Sequence, residues 1–214
     1  MRVLVACEFS GTVRDAFARR GHDAWSCDLL PSETEGNHIQ GDVLEVLAGH
    51  KGRPWDMMIA HPPCTHLATS GAAWFAEKVT DGRQQAALEL FLAVLNALVP
   101  MKCIENPVGI ASTRIRPFDQ IVHPWQFGHE AEKTTCLWLE NLPRLRPTEI
   151  VAKGEFVVTS GGRKMPKWYS NSKGKTRSRT FRGIAEAMAE QWGSLSPDFR
   201  VGFGVPRKAR LRKG

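Results

Sequence analysis

The chain has no apolar run long enough to span a bilayer, and its start lacks the basic and apolar regions of a secretory signal, so a cytoplasmic protein is expected and a membrane association is not. Its five cysteines are odd in number and include no Cys-x-x-Cys pair, which argues for reduced thiols and against a structural zinc site. The seven histidines are scattered, and no metal is expected. Acidic residues are missing from two late stretches. Eight basic side chains lie between Arg163 and Arg182 and six more between Arg200 and Gly214, with no carboxylate in either. Because the whole chain carries only +7, the remainder is net acidic, and the late stretches form a surface suited to a polyanion. Trp168 and Tyr169 add flat groups able to stack on bases. A solvated loop and an inert basic tail are the bland alternatives.

What is present fits one folded domain over residues 1–214, with an ordinary apolar fraction of 42%. The apolar run from Arg2 to Ala6 reads as a strand, followed by a tight turn at Cys7 to Thr12 and a helix from Val13 to Arg20 closed by Gly21. A second apolar stretch, Ala24 to Cys27, ends at Asp28. In a βαβ nucleotide-binding unit an acid at this spacing reaches a ribose. Only Gly11 remains of the usual glycine-rich phosphate pattern, so a cofactor without phosphates fits better than a dinucleotide. Asp42, after a third strand at His38 to Gln40, can accept a hydrogen bond from an adenine amine or cap the helix from Val43 to Ala48, and the two roles are compatible. Further strands are expected at Met57 to Ala60 and Met101 to Glu105, then an antiparallel pair near Ile121 to Trp125 and Thr135 to Leu139. Helices are expected at Gln84 to Leu98 and Gly183 to Trp192.

The sharpest chemical signal is His61-Pro62-Pro63-Cys64, directly after an apolar strand, answered about forty residues later by Ile104-Glu105-Asn106-Pro107. Each proline fixes its own φ and biases the preceding residue toward extended backbone, so the turn that presents Cys64 is stiff. A thiolate held this way can attack an electron-poor carbon while a neighbouring carboxylic acid protonates the developing charge. The alternatives are a buried free cysteine at Cys64 and a capping or arginine-paired carboxylate at Glu105. Cys7, Cys27, Cys103 and Cys136 read as core fillers, and His61 and His66 as pocket-wall or structural residues. Trp74 and Phe75 read as core aromatics or as covers over a bound base.

In their order these motifs resemble the DNA cytosine-5 methyltransferases, over most of residues 1–140 and one carboxy-terminal helix. The resemblance implies a Rossmann-like α/β fold of the S-adenosylmethionine-dependent methyltransferases, with a mostly parallel seven-stranded sheet, one antiparallel strand and helices on both faces. It implies S-adenosylmethionine as cofactor, held by Phe9, Ser10 and Gly11 of the Phe-x-Gly turn, by Asp28 and Leu29 at the ribose, by Asp42 and Val43 near the adenine, and by Pro62. Cys64 is then the nucleophile, with Glu105 and Asn106 as the catalytic Glu-Asn pair. Pro63, Lys133 and Thr134 would face the substrate. Gln126-Phe127-Gly128 with Lys133 is similar to the family's aromatic-Gly turn and Gln-x-Arg-x-Arg segment, but Lys133 stands where an arginine is expected and no glutamine precedes it. The helix from Gly183 to Trp192 resembles the last cofactor-side motif.

Family members carry a separate target-recognition domain before that helix. Here residues 143–179 are too short for one and read as a strand pair from Glu149 to Thr159 and a basic loop from Ser160 to Arg177. Within this insert Lys173 and Lys175 are expected to contact phosphates, and Arg177 or Arg179 to read a base. Residues 200–214 form a basic tail. The expected protein is a compact, phage-like monomer that methylates cytosine in DNA at a short or relaxed target. Two other readings remain: an enzyme modifying free cytidine nucleotides through the same thiol and acid, and a nucleic-acid-binding relative without turnover.

Overall fold

In the computed structural model the described residues are 1–49, 53–69, 75–162, 164–171, 174–196 and 209–212. Seven strands form one sheet: β1 Arg2–Ala6, β2 Asp23–Asp28, β3 His38–Gln40, β4 Met57–Ala60, β5 Met101–Pro107, β6 Gln120–Val122 and β7 Thr135–Glu140. Their order is β3-β2-β1-β4-β5-β7-β6. The first five pair in parallel, and β7 runs antiparallel to both β5 and β6. This is the Rossmann-like α/β sheet expected from the sequence, down to its single antiparallel strand.

Side chains alternate across the central strands and feed two cores. Val3, Val5, Met57, Ile59, Met101 and Cys103 pack on one face, beneath α1 (Thr12–Ala18) and α8 (Arg182–Gly193). Leu4, Ala6, Met58, Ala60 and Ile104 pack on the other, beneath α2 (Val43–Ala48), α4 (Arg83–Leu95) and α5 (Ala111–Arg114). Among the described residues no helix is long and apolar enough to cross a membrane.

Two segments depart from the expected elements. The strand expected at Ile121 to Trp125 ends at Val122, because Pro124 lacks an amide proton and opens a 3-10 turn over Pro124–Gln126. The strand pair expected at Glu149 to Thr159 lies later in the chain: β8 (Phe156–Val158) pairs with β9 (Lys164–Pro166), inside what read as a loop. Gly154 explains the shift. Its φ of +80° leaves the strand region, and a Cβ there would lie 2.1 Å from the Glu130 carbonyl oxygen. The rest of the insert folds into two short helices, α6 (Lys167–Asn171) and α7 (Gly174–Ser178).

The loop after β2 is fixed from within by Arg14. This arginine is 1% exposed, and its guanidinium donates to Asp15, to the hydroxyls of Ser26, Ser32 and Thr34, and to the Thr34 and Glu35 carbonyls. The loop then returns to the β1 turn through the Glu33 amide, which donates to the Phe9 carbonyl at 2.9 Å. Arg14→Ala takes the guanidinium from Asp15 Oδ1 and from the hydroxyl and carbonyl acceptors of the loop, so a loss of about 2 to 3 kcal/mol is expected in denaturant unfolding. Hydrogen exchange at the Glu33 amide should accelerate in that variant, and unchanged protection would show that other contacts hold the loop.

Candidate active site

The register of the sheet assembles the site. Cys27, Ala6, Ala60 and Ile104 are neighbours on β2, β1, β4 and β5. The next residues along the chain, Asp28, Cys7, His61 and Glu105, therefore form a row at the carboxyl ends of four parallel strands. Strand order reverses between β1 and β4, where open α/β sheets form ligand crevices.

On the β1 side Cys7 turns the chain with a left-handed φ of 58°. It is half-buried, packs against the second core as expected, and also lines the pocket at the site. Burial, with the charges of Asp28, Cys27 and Asp42 added, pushes its thiol up to about 12. Glu8 was not singled out by sequence reasoning, although it anchors the turn. Its buried carboxylate accepts from the Val13 and Arg14 amides at 2.7 and 3.2 Å and from the Ser10 hydroxyl at 3.3 Å, satisfying first-turn donors of α1. Gly11 begins that helix with φ 72°. Asp28 Oδ1 accepts from the Leu30 amide at 2.9 Å, and Asp42 Oδ1 caps α2 at the Leu44 amide at 2.7 Å. Leu29 is 73% exposed beside Asp28, whereas Val43 is buried in the second core.

On the β4 and β5 side Pro62 is buried, Pro63 exposed and Cys64 half-buried. The Cys64 carbonyl accepts from the Leu67 and Ala68 amides, both at 2.9 Å. Asn106, 1% exposed, donates through Nδ2 to the Pro62 carbonyl at 2.7 Å and so holds the Pro-Pro turn against β5. Lys78 of α3 (Phe75–Thr80) donates to the Thr65 carbonyl at 2.8 Å from the other side. Phe75 is half-buried at the start of that helix, while Trp74 lies outside the described residues.

The charges around Cys64 and Glu105 are coupled. Burial raises Glu105, but hydrogen bonds from His61 and Thr135 and the Lys133 ammonium outweigh it and hold the carboxyl below its usual range. His61 Nδ1 lies 3.5 Å from Glu105 Oε2. Burial and the Glu105 charge push the Cys64 thiol up, opposed by Lys133. Glu8, on the other side of His61, is displaced upward by burial, against His61 and the amides it accepts from. The lysine at the expected arginine position thus acts on both candidate catalytic groups. Thr134 precedes β7 and is half-buried, and its neighbour Thr135 supplies the hydroxyl to Glu105.

The insert folds over this edge. Lys133 Nζ donates to the Arg177 carbonyl at 3.1 Å, Lys175 Nζ lies 5.9 Å from the centre of the Phe9 ring, and Arg179 pairs with Glu33 at 2.8 Å. Ser178, Arg179 and Thr180 close a small pocket against Cys7, Glu8, Phe9, Ser10 and His61. Arg177 stacks on Tyr169 at 3.8 Å and donates to the Tyr169 carbonyl at 2.8 Å. Trp168 packs edge-on against Phe181 and donates to the Glu132 carbonyl at 3.0 Å, so it fastens the insert to the body of the domain. Lys173 lies outside the described residues. No group of three metal-ligating side chains occurs among the described residues.

No family model matches the chain, and no curated protein matches it. Among solved structures it is similar to a candidate DNA modification methyltransferase encoded within an E. coli prophage, with a TM-score of 0.45 and 16% identity over 70% of this chain. The match spans about half of that protein, 51% of its length.

The charge coupling has a direct readout in pH-dependent alkylation of Cys64 followed by peptide mass. The midpoint is expected above that of an ordinary thiol. Glu105→Gln should move it down by removing a negative charge, and Lys133→Ala should move it up by removing the opposing cation. Midpoints that do not move in either variant would separate these groups from the thiol.

Proposed function

We propose that the protein is an S-adenosylmethionine-dependent DNA methyltransferase that modifies carbon 5 of cytosine through a covalent adduct at Cys64. The observation that carries this reading is the convergence of a thiol, a carboxylate and an ammonium group, Cys64, Glu105 and Lys133, with mutual electrostatic effects on one rim of a Rossmann-like sheet.

The donors and acceptors at the β1 and β2 ends fit an adenosyl group. Among the described residues Asp28 and Asp42 each commit only one carboxylate oxygen, leaving the other to accept from ribose hydroxyls or an adenine amine, and exposed Leu29 offers an apolar wall. When bound, S-adenosylmethionine supplies an electrophilic methyl group.

Carbon 5 of cytosine is a weak nucleophile until carbon 6 carries a thiolate. The resting charges favour a protonated Cys64 and an ionised Glu105. The addition balances when the proton lost by Cys64 is carried by Glu105 to ring nitrogen 3 as the sulfur–carbon bond forms. Such acid assistance contributes on the order of 10² to 10⁴ in rate. After methylation the carbon 5 proton passes to solvent water as the Cys64 thiolate is expelled, which restores the ring, and the nitrogen 3 proton returns through Glu105 to the thiolate. Lys133 favours both anionic states. Asn106 holds the Pro62 carbonyl and is a positioning residue in this scheme. Carbon 6 is shielded in a duplex, so the target base leaves the stack to reach Cys64. The shortness of the insert supports a short or relaxed target.

Base-resolution sequencing of DNA from cells expressing the chain tests this. Methyl groups on carbon 5 of cytosine are expected with the wild type and absent with Cys64→Ala, and Asp28→Ala should weaken cofactor binding in calorimetry. Methyl groups on exocyclic amines, or transfer to free cytidine nucleotides but not to DNA, would overturn the reading.

A further inference from the structure

The basic tail is not loose where it is described. Residues 209–212 lie across the ends of α4 and α5. Asn96, just past α4, clamps Ala209 with two 3.0 Å bonds, its amide donating to the Ala209 carbonyl and its carbonyl accepting the Ala209 amide. At α5 the Arg212 amide donates to the Arg114 carbonyl at 2.7 Å, and Arg114 Nε donates back to the Arg212 carbonyl at 3.2 Å. The strap alternates. Ala209 and Leu211 pack on the second core, while Arg210 and Arg212 are exposed.

The segment that leads into α5 packs on the Cys64 loop. The Ile110 amide donates to the Leu67 carbonyl at 3.0 Å, and the Thr69 amide donates to the Val108 carbonyl at 3.0 Å. Gly109 sits so close that a Cβ would lie 2.3 Å from the Leu67 carbonyl oxygen. Helix α5 begins directly after this contact and is only one turn long. Among the described residues Arg114, Arg210 and Arg212 form no ion pair, and the sequence supplies no carboxylate between Arg200 and Gly214 to neutralise them.

We propose that this strap is a phosphate-contact surface for duplex DNA, with Arg210 and Arg212, flanked by Arg114, gripping the sugar-phosphate backbone. Alternate residues of an extended chain lie about 7 Å apart, comparable to successive phosphates along one strand. Guanidinium groups suit such oxygens, and contacts of this kind fix position without reading sequence. The surface rests on DNA being the substrate, as proposed above.

The test titrates labelled duplex DNA into the full chain over a range of salt concentrations. The Arg210→Gln, Arg212→Gln double variant should bind on the order of fifty-fold more weakly at 0.1 M salt, with its log–log salt slope shallower by about 1.8. The loss should be the same on unrelated sequences, with the thermal midpoint unchanged because both side chains are exposed. Asn96→Ala keeps both arginines and releases the clamp, and it should weaken DNA binding while cofactor affinity stays as in the wild type. Wild-type affinity and slope in the double variant would overturn the strap as a DNA surface while leaving the methyltransferase reading standing. Failure of the wild type itself to bind DNA would sink both.

Discussion

The whole site depends on the common register of four parallel strands. Because Cys27, Ala6, Ala60 and Ile104 are paired neighbours, Asp28, Cys7, His61 and Glu105 emerge side by side at one sheet edge. Shifting β4 against β5 by one residue would reverse which face each side chain meets, sending Met58 and Ala60 into the wrong core and Cys64 away from Glu105. The buried alternation of β1, β4 and β5 forbids that slip, so core packing and site geometry are one constraint.

Electrostatics then differentiates groups that the register merely brings together. Two carboxylates, Glu8 buried and Glu105 half-buried, flank His61 and are displaced in opposite directions, Glu8 upward by burial and Glu105 downward by its hydrogen bonds and Lys133. Glu8 serves α1 through the Val13 and Arg14 amides, while Glu105 faces the Cys64 side. Lys133 also holds the Arg177 carbonyl, so the cation that acts on the thiol and carboxylate fastens the insert to the same edge. Arg179 and Glu33 add a second tie, between the insert and the loop that Arg14 fixes.

Much of this was legible in the chain because apolar runs ended by Gly, Asp or Pro mark strand ends without knowledge of partners. That is how β1 to β5 were located and Asp28, Cys64 and Glu105 were placed at or just beyond their carboxyl ends. Glu8 was assigned no role and His61 only that of a pocket wall or structural residue, since each acts through contacts that appear only on folding: the first-turn amides of α1 for one, β5 for the other. The insert was misread where Gly154 interrupts the expected strand, a conformational demand that composition does not reveal. Trp168 suggested base stacking but packs on Phe181, and Cys7 packs on the core as expected but also lines the pocket. In the tail, Ala209-Arg210-Leu211-Arg212 alternates with a strand's period, yet its docking depends on Asn96 and Arg114, far earlier in the chain.

The central claim is that Cys64 bonds covalently to carbon 6 of a cytosine under the influence of Glu105. Incubation with S-adenosylmethionine and DNA carrying cytosine fluorinated at carbon 5 measures this directly, because fluorine cannot leave as a proton does and the adduct is trapped. The account predicts a stable protein–DNA complex whose linked peptide contains Cys64, formed more slowly by Glu105→Gln and not at all by Cys64→Ala. No complex, or one linked through Cys7 or Cys136, would contradict it.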